Sequence, residues 1–340
     1  MNFVLMHDIG LRAVLVAFIS MAIPCAANAE VSAIKIGRAY SLGQLPTFVM
    51  DTYKLVEKHA KAAGLGDLKV DWITFAGAGP ENDALLSGSV AFTLNGPPAS
   101  LILWDKTRGR ENVHIVAAVD NEVLFLNTRN PNVTSVRDFT DSDKIAVPTT
   151  GISVAAIQLQ LIAAKEFGER NLHKLDPFTV SLSSPDALVE MLSNSDVNSN
   201  FASEPYSTKE LKHAGVHTVL TTYDILGSPA TQNVFVTTEK FRRENPKIYH
   251  AFVAALKEAD DMINQDKESA AKIFMSRAKG FTFDEIYAPL EKNSIQYSMA
   301  PMQIVKYAEF LYKVGRISTM PHSWKDCFFP DPEIDNLSGN

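Results

Sequence analysis

The sequence predicts an α/β protein of two similar lobes that face each other across a cleft. Three observations carry that prediction. One segment is stated twice: residues 79–92 run into Asn95-Gly96-Pro97-Pro98, and residues 184–197 run into Phe201-Ala202-Ser203-Glu204-Pro205. Each copy reads as a capped helix start, a short helix, a tight turn, a buried strand and a loop. The offset from Leu86 to Leu192 is 106 residues, too long for a solenoid repeat. Strands and helices also alternate, the order that builds a parallel sheet with right-handed crossovers. Finally, 340 residues at 46% hydrophobic and 21% charged make a globular chain long enough to favour two domains over one.

The first residues stand apart from the fold. Residues 13–23 are apolar except for Ser20, and Pro24 and Ala27-Asn28-Ala29 follow. A short apolar run ending in a small-x-small site is a secretory signal, with cleavage expected after Ala29. The run is too short to span a membrane, and no later stretch reaches the roughly 20 apolar residues a span needs. Pro24 before Cys25 fits a lipid anchor poorly. Only Cys327 then remains, so no intramolecular disulfide is expected, and it reads as a packed thiol.

The remaining elements follow in order. Residues 33–37 form a strand and 40–44 a loop. Val49, Tyr53, Val56 and Ala60 recur at helical spacing between Pro46 and Gly64, predicting one helix over 46–63. A strand over 69–75 leads to Gly77-Ala78-Gly79-Pro80, which opens the next helix, and 113–119 is a further strand. A strand over 124–127 leads out of the first lobe. The second cycle holds strands at 144–147, 179–182 and 216–220 and a helix ending near Glu169. Residues 233–237 return to the first lobe, and helices over 246–264, 267–277, 283–292 and 302–314 pack back on it. The expected division is therefore 30–119 with 230–340 as lobe I and 120–229 as lobe II, joined by strands that allow controlled closure.

Ligands of open α/β sheets bind at the carboxyl ends of the strands. That rule selects five loops, with Tyr40, Ser41 and Gln44 in the first. Gly77 and Gly79 belong to the second, Asn95 and Gly96 to the third, Thr149, Thr150, Gly151 and Ser153 to the fourth, and Glu204 and Tyr206 to the fifth. Asp120 lies near the crossover. The loops at 77–79 and 149–153 precede helices, where free N–H groups and the helix dipole favour an anionic head group. Plain capping is the alternative for any one of them; five loops at corresponding strand ends is what argues for a site. Arg38 is the nearest cation for an anionic ligand.

Catalytic signatures are thin. Gly77-x-Gly79 lacks the third glycine of a dinucleotide loop, and neither a phosphate-loop Gly-Lys-Ser/Thr nor a Gly-x-Ser-x-Gly elbow occurs. His213 and His217 have metal-like spacing, but Gly215 between them reads as a helix stop, so no metal site is expected. A net charge of −7 argues against nucleic acid or anionic lipid as partners, since both demand a basic face.

The chain resembles the periplasmic substrate-binding proteins of nitrate/sulfonate/taurine-type ABC transporters. The resemblance runs from Ile34 to about Pro330. It rests on the opening strand and loop, on residues 77–96 with their Leu-x-Ser-Gly-x-Val core, and on Asp138-Phe139 before Lys144-Ile145-Ala146-Val147-Pro148. Glu204-Pro205, Glu244-Asn245-Pro246, Tyr307-Ala308-Glu309-Phe310 and Ser323-Trp324-Lys325-Asp326 extend it. The chain departs from such relatives at Ala91, where they carry an acid, and at Asn194, where they carry glycine. The resemblance implies a type II periplasmic-binding-protein fold, each lobe a mainly parallel sheet flanked by helices. It further implies a monomer that binds one small, anionic solute, such as a sulfonate or nitrate, and delivers it to an inner-membrane permease with its ATPase. No cofactor and no chemistry by this chain are implied. The competing expectations are an enzyme on the same fold, related to pyrimidine-synthesis or menaquinone-pathway proteins, and a ligand sensor for a membrane receptor.

Overall fold

A computed structural model of the protein describes residues 29–193 and 195–339. The expected leader, except Ala29, and Asn194 lie outside the described residues. Strand β1 (Ala33–Arg38) pairs in parallel with β2 (Lys69–Thr74), and two helices, α1 (Leu45–Tyr53) and α2 (Leu55–Ala62), connect them. The single helix expected over 46–63 breaks at Lys54, which adopts left-handed values (φ 53°, ψ 44°) while its N–H closes α1 on the Met50 carbonyl. The break changes the phase of the buried stripe. Phe48 and Val49 are buried before it and Leu55, Val56 and Ala60 after it, whereas Tyr53, expected on that stripe, is 48% exposed. Helix α3 (Ala78–Leu86), β3 (Thr93–Asn95), α4 (Pro97–Thr107) and β4 (Val113–Glu122) follow. A parallel bridge between Ile36 and Phe92 ties β1 to the entrance of β3, and Ala91 joins it by donating to the Lys35 carbonyl at 2.8 Å.

The chain crosses to a second sheet between Glu122 and β5 (Phe125–Thr128). The next elements are β6 (Ile145–Val147), α5 (Val154–Phe167), β7 (Thr179–Ser181), α6 (Ser184–Leu192), β8 (Ser199–Ala202), α7 (Tyr206–Glu210), β9 (His217–Thr221) and α8 (Thr222–Leu226). The strand order is β7-β6-β8-β5-β9, with β6 parallel to both neighbours and β5 antiparallel to both of its own. His217 of β9 places Nε2 2.7 Å from the Val133 carbonyl oxygen, so its imidazole is engaged within the fold.

β10 (Ala230–Thr238) returns to the first sheet and inserts between β3 and β4, antiparallel to each. In strand direction each sheet therefore has four parallel strands, with the strand arriving from the other sheet running against them; the first sheet has one further antiparallel strand at its edge. Helices α9 (Glu239–Glu244), α10 (Pro246–Gln265), α11 (Lys267–Arg277) and α12 (Phe283–Glu291) come next. They lead to the edge strand β11 (Ile295–Tyr297) on β4, then α13 (Ile304–Lys313) and α14 (Pro332–Asp335). Ile248, Phe252, Leu256, Ala259 and Ile263 recur at helical spacing along α10 and are fully buried. Phe252 stacks on Phe92 at 4.0 Å and meets Phe235 edge-on at 4.7 Å, so one side chain joins helix, β10 and the start of β3. The carboxyl-terminal tail docks on the same sheet. Phe329 donates to the Ile115 carbonyl at 2.8 Å, and burial pushes the Cys327 thiol up to about 12. Among the described residues, no helix is long and apolar enough to cross a membrane.

Candidate ligand-binding cleft

The carboxyl ends of β1, β2, β3 and β4 converge with those of β6, β7 and β8 on one cavity of about 350 Å³. The first sheet contributes Tyr40, Ser41 and Gln44 after β1, Thr74 to Ala78 after β2, Asn95 and Gly96 after β3, and Glu122 at the end of β4. The second contributes Thr149 and Ser153 after β6, Leu182 to Pro185 after β7, and Ser203 and Tyr206 after β8. Gln232 and Asn233 of β10 form part of the floor. A cavity of this size lies at the lower end of small-molecule sites.

The two sheets close on each other around this space. A Cβ on Gly77 would stand 2.7 Å from Thr149 Oγ1, and one on Gly96 would stand 2.8 Å from a Val154 methyl. Both glycines are needed because the opposite wall comes this near, not for unusual backbone angles. Leu42 N–H donates to the Glu204 carbonyl at 2.9 Å, and the Tyr206 hydroxyl donates to the Tyr40 carbonyl at 3.0 Å. Glu204 N–H donates to Glu122 Oε1 at 2.7 Å. Farther out, Lys212 and Lys209 reach Glu285 of α12 at 3.4 and 3.8 Å.

Among the described residues, the wall carries no Lys, Arg or His and two carboxyl side chains, Glu81 and Glu122. Burial alone pushes Glu81 up to about 8. Its side chain has no hydrogen-bond or ion partner among the described residues, and at 3% exposure it opens onto the cavity. Burial likewise raises Asp120 to about 7 and Glu122 well above the carboxylate range, the latter also through the charge of Asp120. Asp120 Oδ2 and Glu122 Oε2 are buried without a donor, and a single proton held between the two carboxyls satisfies both. A polar chain runs from this pair to the cavity: Asn233 Nδ2 donates to Asp120 Oδ1 at 2.8 Å, and Gln44 Nε2 to Asn233 Oδ1 at 3.3 Å.

Of the residues nominated from sequence, Tyr40, Ser41, Gln44, Gly77, Asn95, Gly96, Thr149, Ser153 and Tyr206 meet on the cavity. Five lie elsewhere. Gly79 is half-buried with open space where a side chain would go. Asp120 sits behind the floor, bonded to Asn233. Thr150 is exposed, its N–H donating to Ser181 Oγ at 2.9 Å. Gly151 occupies a left-handed turn (φ 76°) whose carbonyl accepts from the Arg316 guanidinium. Glu204 is buried and accepts from Thr208 N–H at 3.0 Å, so it joins the sheets rather than lining the space. Arg38 is turned away as well: it pairs with Asp51 at 3.2 Å between the rings of Phe48 and Trp72, at 4.6 and 5.1 Å. Sequence reasoning missed residues 182–185, although they open the second copy of the repeat just as 77–79 open the first. It also missed Glu81, Glu122, Gln232 and Asn233, which lie within helices and strands and carry no loop signal.

A profile of the NMT1-like family matches residues 27–276, well over half the chain. The chain belongs to the NMT1-like family. No curated protein matches this NMT1-like chain. Its architecture recurs in solved structures at low sequence identity. One is the alkanesulfonate-binding protein SsuA from Xanthomonas axonopodis pv. citri bound to MOPS, at 15% identity and a TM-score of 0.65, covering 86% of this chain and 96% of that one. Another is the periplasmic nitrate-binding protein NrtA from Synechocystis PCC 6803, at 16% identity and 0.68, covering 91% and 86%. A third is the ligand-binding component of an ABC-type import system from Staphylococcus aureus with zinc bound, at 15% and 0.64, covering 91% and 100%. The periplasmic-binding-protein fold implied by the sequence resemblance is thus the fold of this NMT1-like protein. Among the described residues, no group of three or more His, Cys, Asp or Glu side chains is arranged to hold a metal ion.

Proposed function

We propose that this protein is the substrate-binding component of an ABC importer. It works in the periplasm as a monomer, closes two lobes on one small solute, and presents the closed form to an inner-membrane permease driven by its ATPase. The lobes are residues 30–122 with 230–340 and residues 123–229, the boundary falling slightly later than the 119/120 division expected from sequence because the chain crosses where β4 gives way to β5. The observation that carries this reading is the cavity itself: strand ends of both sheets wall a space of about 350 Å³, and a backbone bond from Leu42 to Glu204 and one from Glu204 N–H to the Glu122 carboxyl hold the two walls together. Ligand contacts made only when the walls meet convert binding into a population shift toward closure. A binding role is also supported by the cavity hydroxyls, which have structural partners. Ser153 Oγ accepts from Ala156 N–H, Ser183 Oγ from Asp186 N–H, and the Tyr206 hydroxyl donates to Tyr40. Two of the structural relatives described above are named as alkanesulfonate-binding and nitrate-binding, and the sequence expectation of an anionic solute follows them; among the described residues, the wall of this cavity carries no cationic side chain to meet one.

Thermal melts and small-angle scattering against a solute panel (nitrate, alkylsulfonates, carboxylates, alkylamines, alcohols) test the reading. A solute at a hundred times its dissociation constant should stabilise the protein by about 2.7 kcal/mol and contract it. Gly96→Trp, which props the walls apart at Val154, should abolish both effects while the unliganded protein stays folded. The reading fails if no solute stabilises the protein, or if stabilisation survives Gly96→Trp unchanged.

A further inference from the structure

We propose that Glu81 is the specificity-determining residue of this cleft and that the solute it selects is a small organic cation carrying a protonated nitrogen. The proposal rests on the binding-protein reading above and adds the charge and head group of the ligand.

Four observations carry it. Glu81 is an acid buried to 3% exposure, open to the cavity, with no donor or counter-charge among the described residues. A buried ionisable group without a partner is costly, and a ligand that supplies the partner recovers that cost on binding. Among the described residues, the remaining wall offers no positive side chain to meet an anion. Aromatic side chains line the same space. Tyr40, Phe75, Phe201 and Tyr206 line it, and ring faces attract a cation held over them. Two of these rings are fixed in place, Tyr40 stacked on Phe48 at 5.6 Å and Tyr206 edge-on to Phe281 at 5.4 Å.

The helix starts that would otherwise receive an anion are already occupied. Helix α4 begins with Pro97 and Pro98, which have no N–H to offer. Ser153 caps α5, and Ser183 caps α6 while donating to Asp186 Oδ2 at 2.5 Å. Helix α3 has no side-chain cap, but its first turn contains Glu81, so the acid that would complement its dipole belongs to the protein. An incoming ammonium or guanidinium group would pair with the Glu81 carboxylate and release the proton that burial otherwise holds on it, whereas an anion would find no fixed positive partner there.

Calorimetry on the purified protein with a matched four-carbon series separates the possibilities: butylammonium, butylguanidinium, butan-1-ol, butanoate and butanesulfonate. At least one of the two cations should bind about thirtyfold or more tightly than butanesulfonate, the loss expected when one member of a buried charge pair is missing. Glu81→Gln should erase that margin, and Glu81→Asp should keep the preference with weaker binding. The comparison among heads in the unaltered protein stands by itself if the glutamine variant fails to fold. Tighter binding of butanoate or butanesulfonate, or a cation preference that persists in Glu81→Gln, overturns the assignment and leaves the importer reading intact. If the cations, the anions and the alcohol all fail to bind, the importer reading falls and this inference falls with it.

Discussion

Glu81 shows how burial alone can set the chemistry of one side chain. Its carboxyl titrates near 4.5 when exposed and is pushed up to about 8 by loss of water, with nothing nearby to lower it. Between those values the folded protein holds a proton that the unfolded chain has released. Stability must therefore fall as pH rises from about 5 to 8 and stay low above that window. Asp120 and Glu210, each raised to about 7, and Glu122 on the same cavity wall act with the same sign. Asp51 and Asp143 have pKa values held below the usual range by their hydrogen-bond donors against the opposing effect of burial, and their contribution is lost only in stronger acid. Melting curves without ligand should thus decline over pH 5–8.5, and Glu81→Gln should remove a part of that decline on the order of 2–4 kcal/mol. Parallel curves for the two proteins would mean that Glu81 is ionised in the fold. None of this was legible in the sequence. An acid in the first turn of a helix reads as a partner for the helix dipole, and only the packed structure distinguishes that from an acid walled into a cleft. Arg38 misled in the opposite way, because the chain pattern did not reveal Asp51 in the last turn of the next helix.

Helix starts are the elements that sequence and structure share most closely. Ser153, Ser183 and Thr282 each accept from an N–H of the helix they precede, as hydroxyl side chains at those positions should. The break at Lys54 is the counterexample. Its helical spacing continues unbroken in the sequence, and the change of phase comes from packing α1 and α2 separately. The start of α12 carries a second duty. Glu285 Oε2 accepts from Thr282 N–H at 2.8 Å, completing a reciprocal cap, and the same carboxylate meets Lys209 of α7 and Lys212 just after it. Glutamine can serve in such a cap without the charge. Glu285→Gln should therefore leave the unliganded melting point nearly unchanged and weaken solute binding by up to about fivefold, the range of a partly exposed ion pair. Thr282→Ala should instead cost about 1 kcal/mol of stability. A Glu285→Gln protein with full affinity would remove these pairs from the closing contacts.

Across the whole molecule, the repeated segment proved the most readable feature. Both copies run helix, strand, loop, and their loops, at Asn95-Gly96 and Ser203, stand on one cavity. The repeat could not reveal which strand would run backwards in each sheet, because that depends on where the chain crosses over. The crossing has a further consequence, for time rather than for binding. Residues 125–221 supply all five strands of the second sheet in one continuous stretch. The first sheet has a gap between β3 and β4 that only β10, more than a hundred residues later, can fill. Closing so long a loop is slow relative to pairings nearby in the chain. During refolding, pulsed hydrogen exchange should find the amides of β6 and β8 protected before those of β3 and β4, and the reverse order would contradict this. A chain emerging across a membrane from its amino terminus would then complete its second unit first, with the earlier half of the first unit held open until β10 arrives to serve as its keystone.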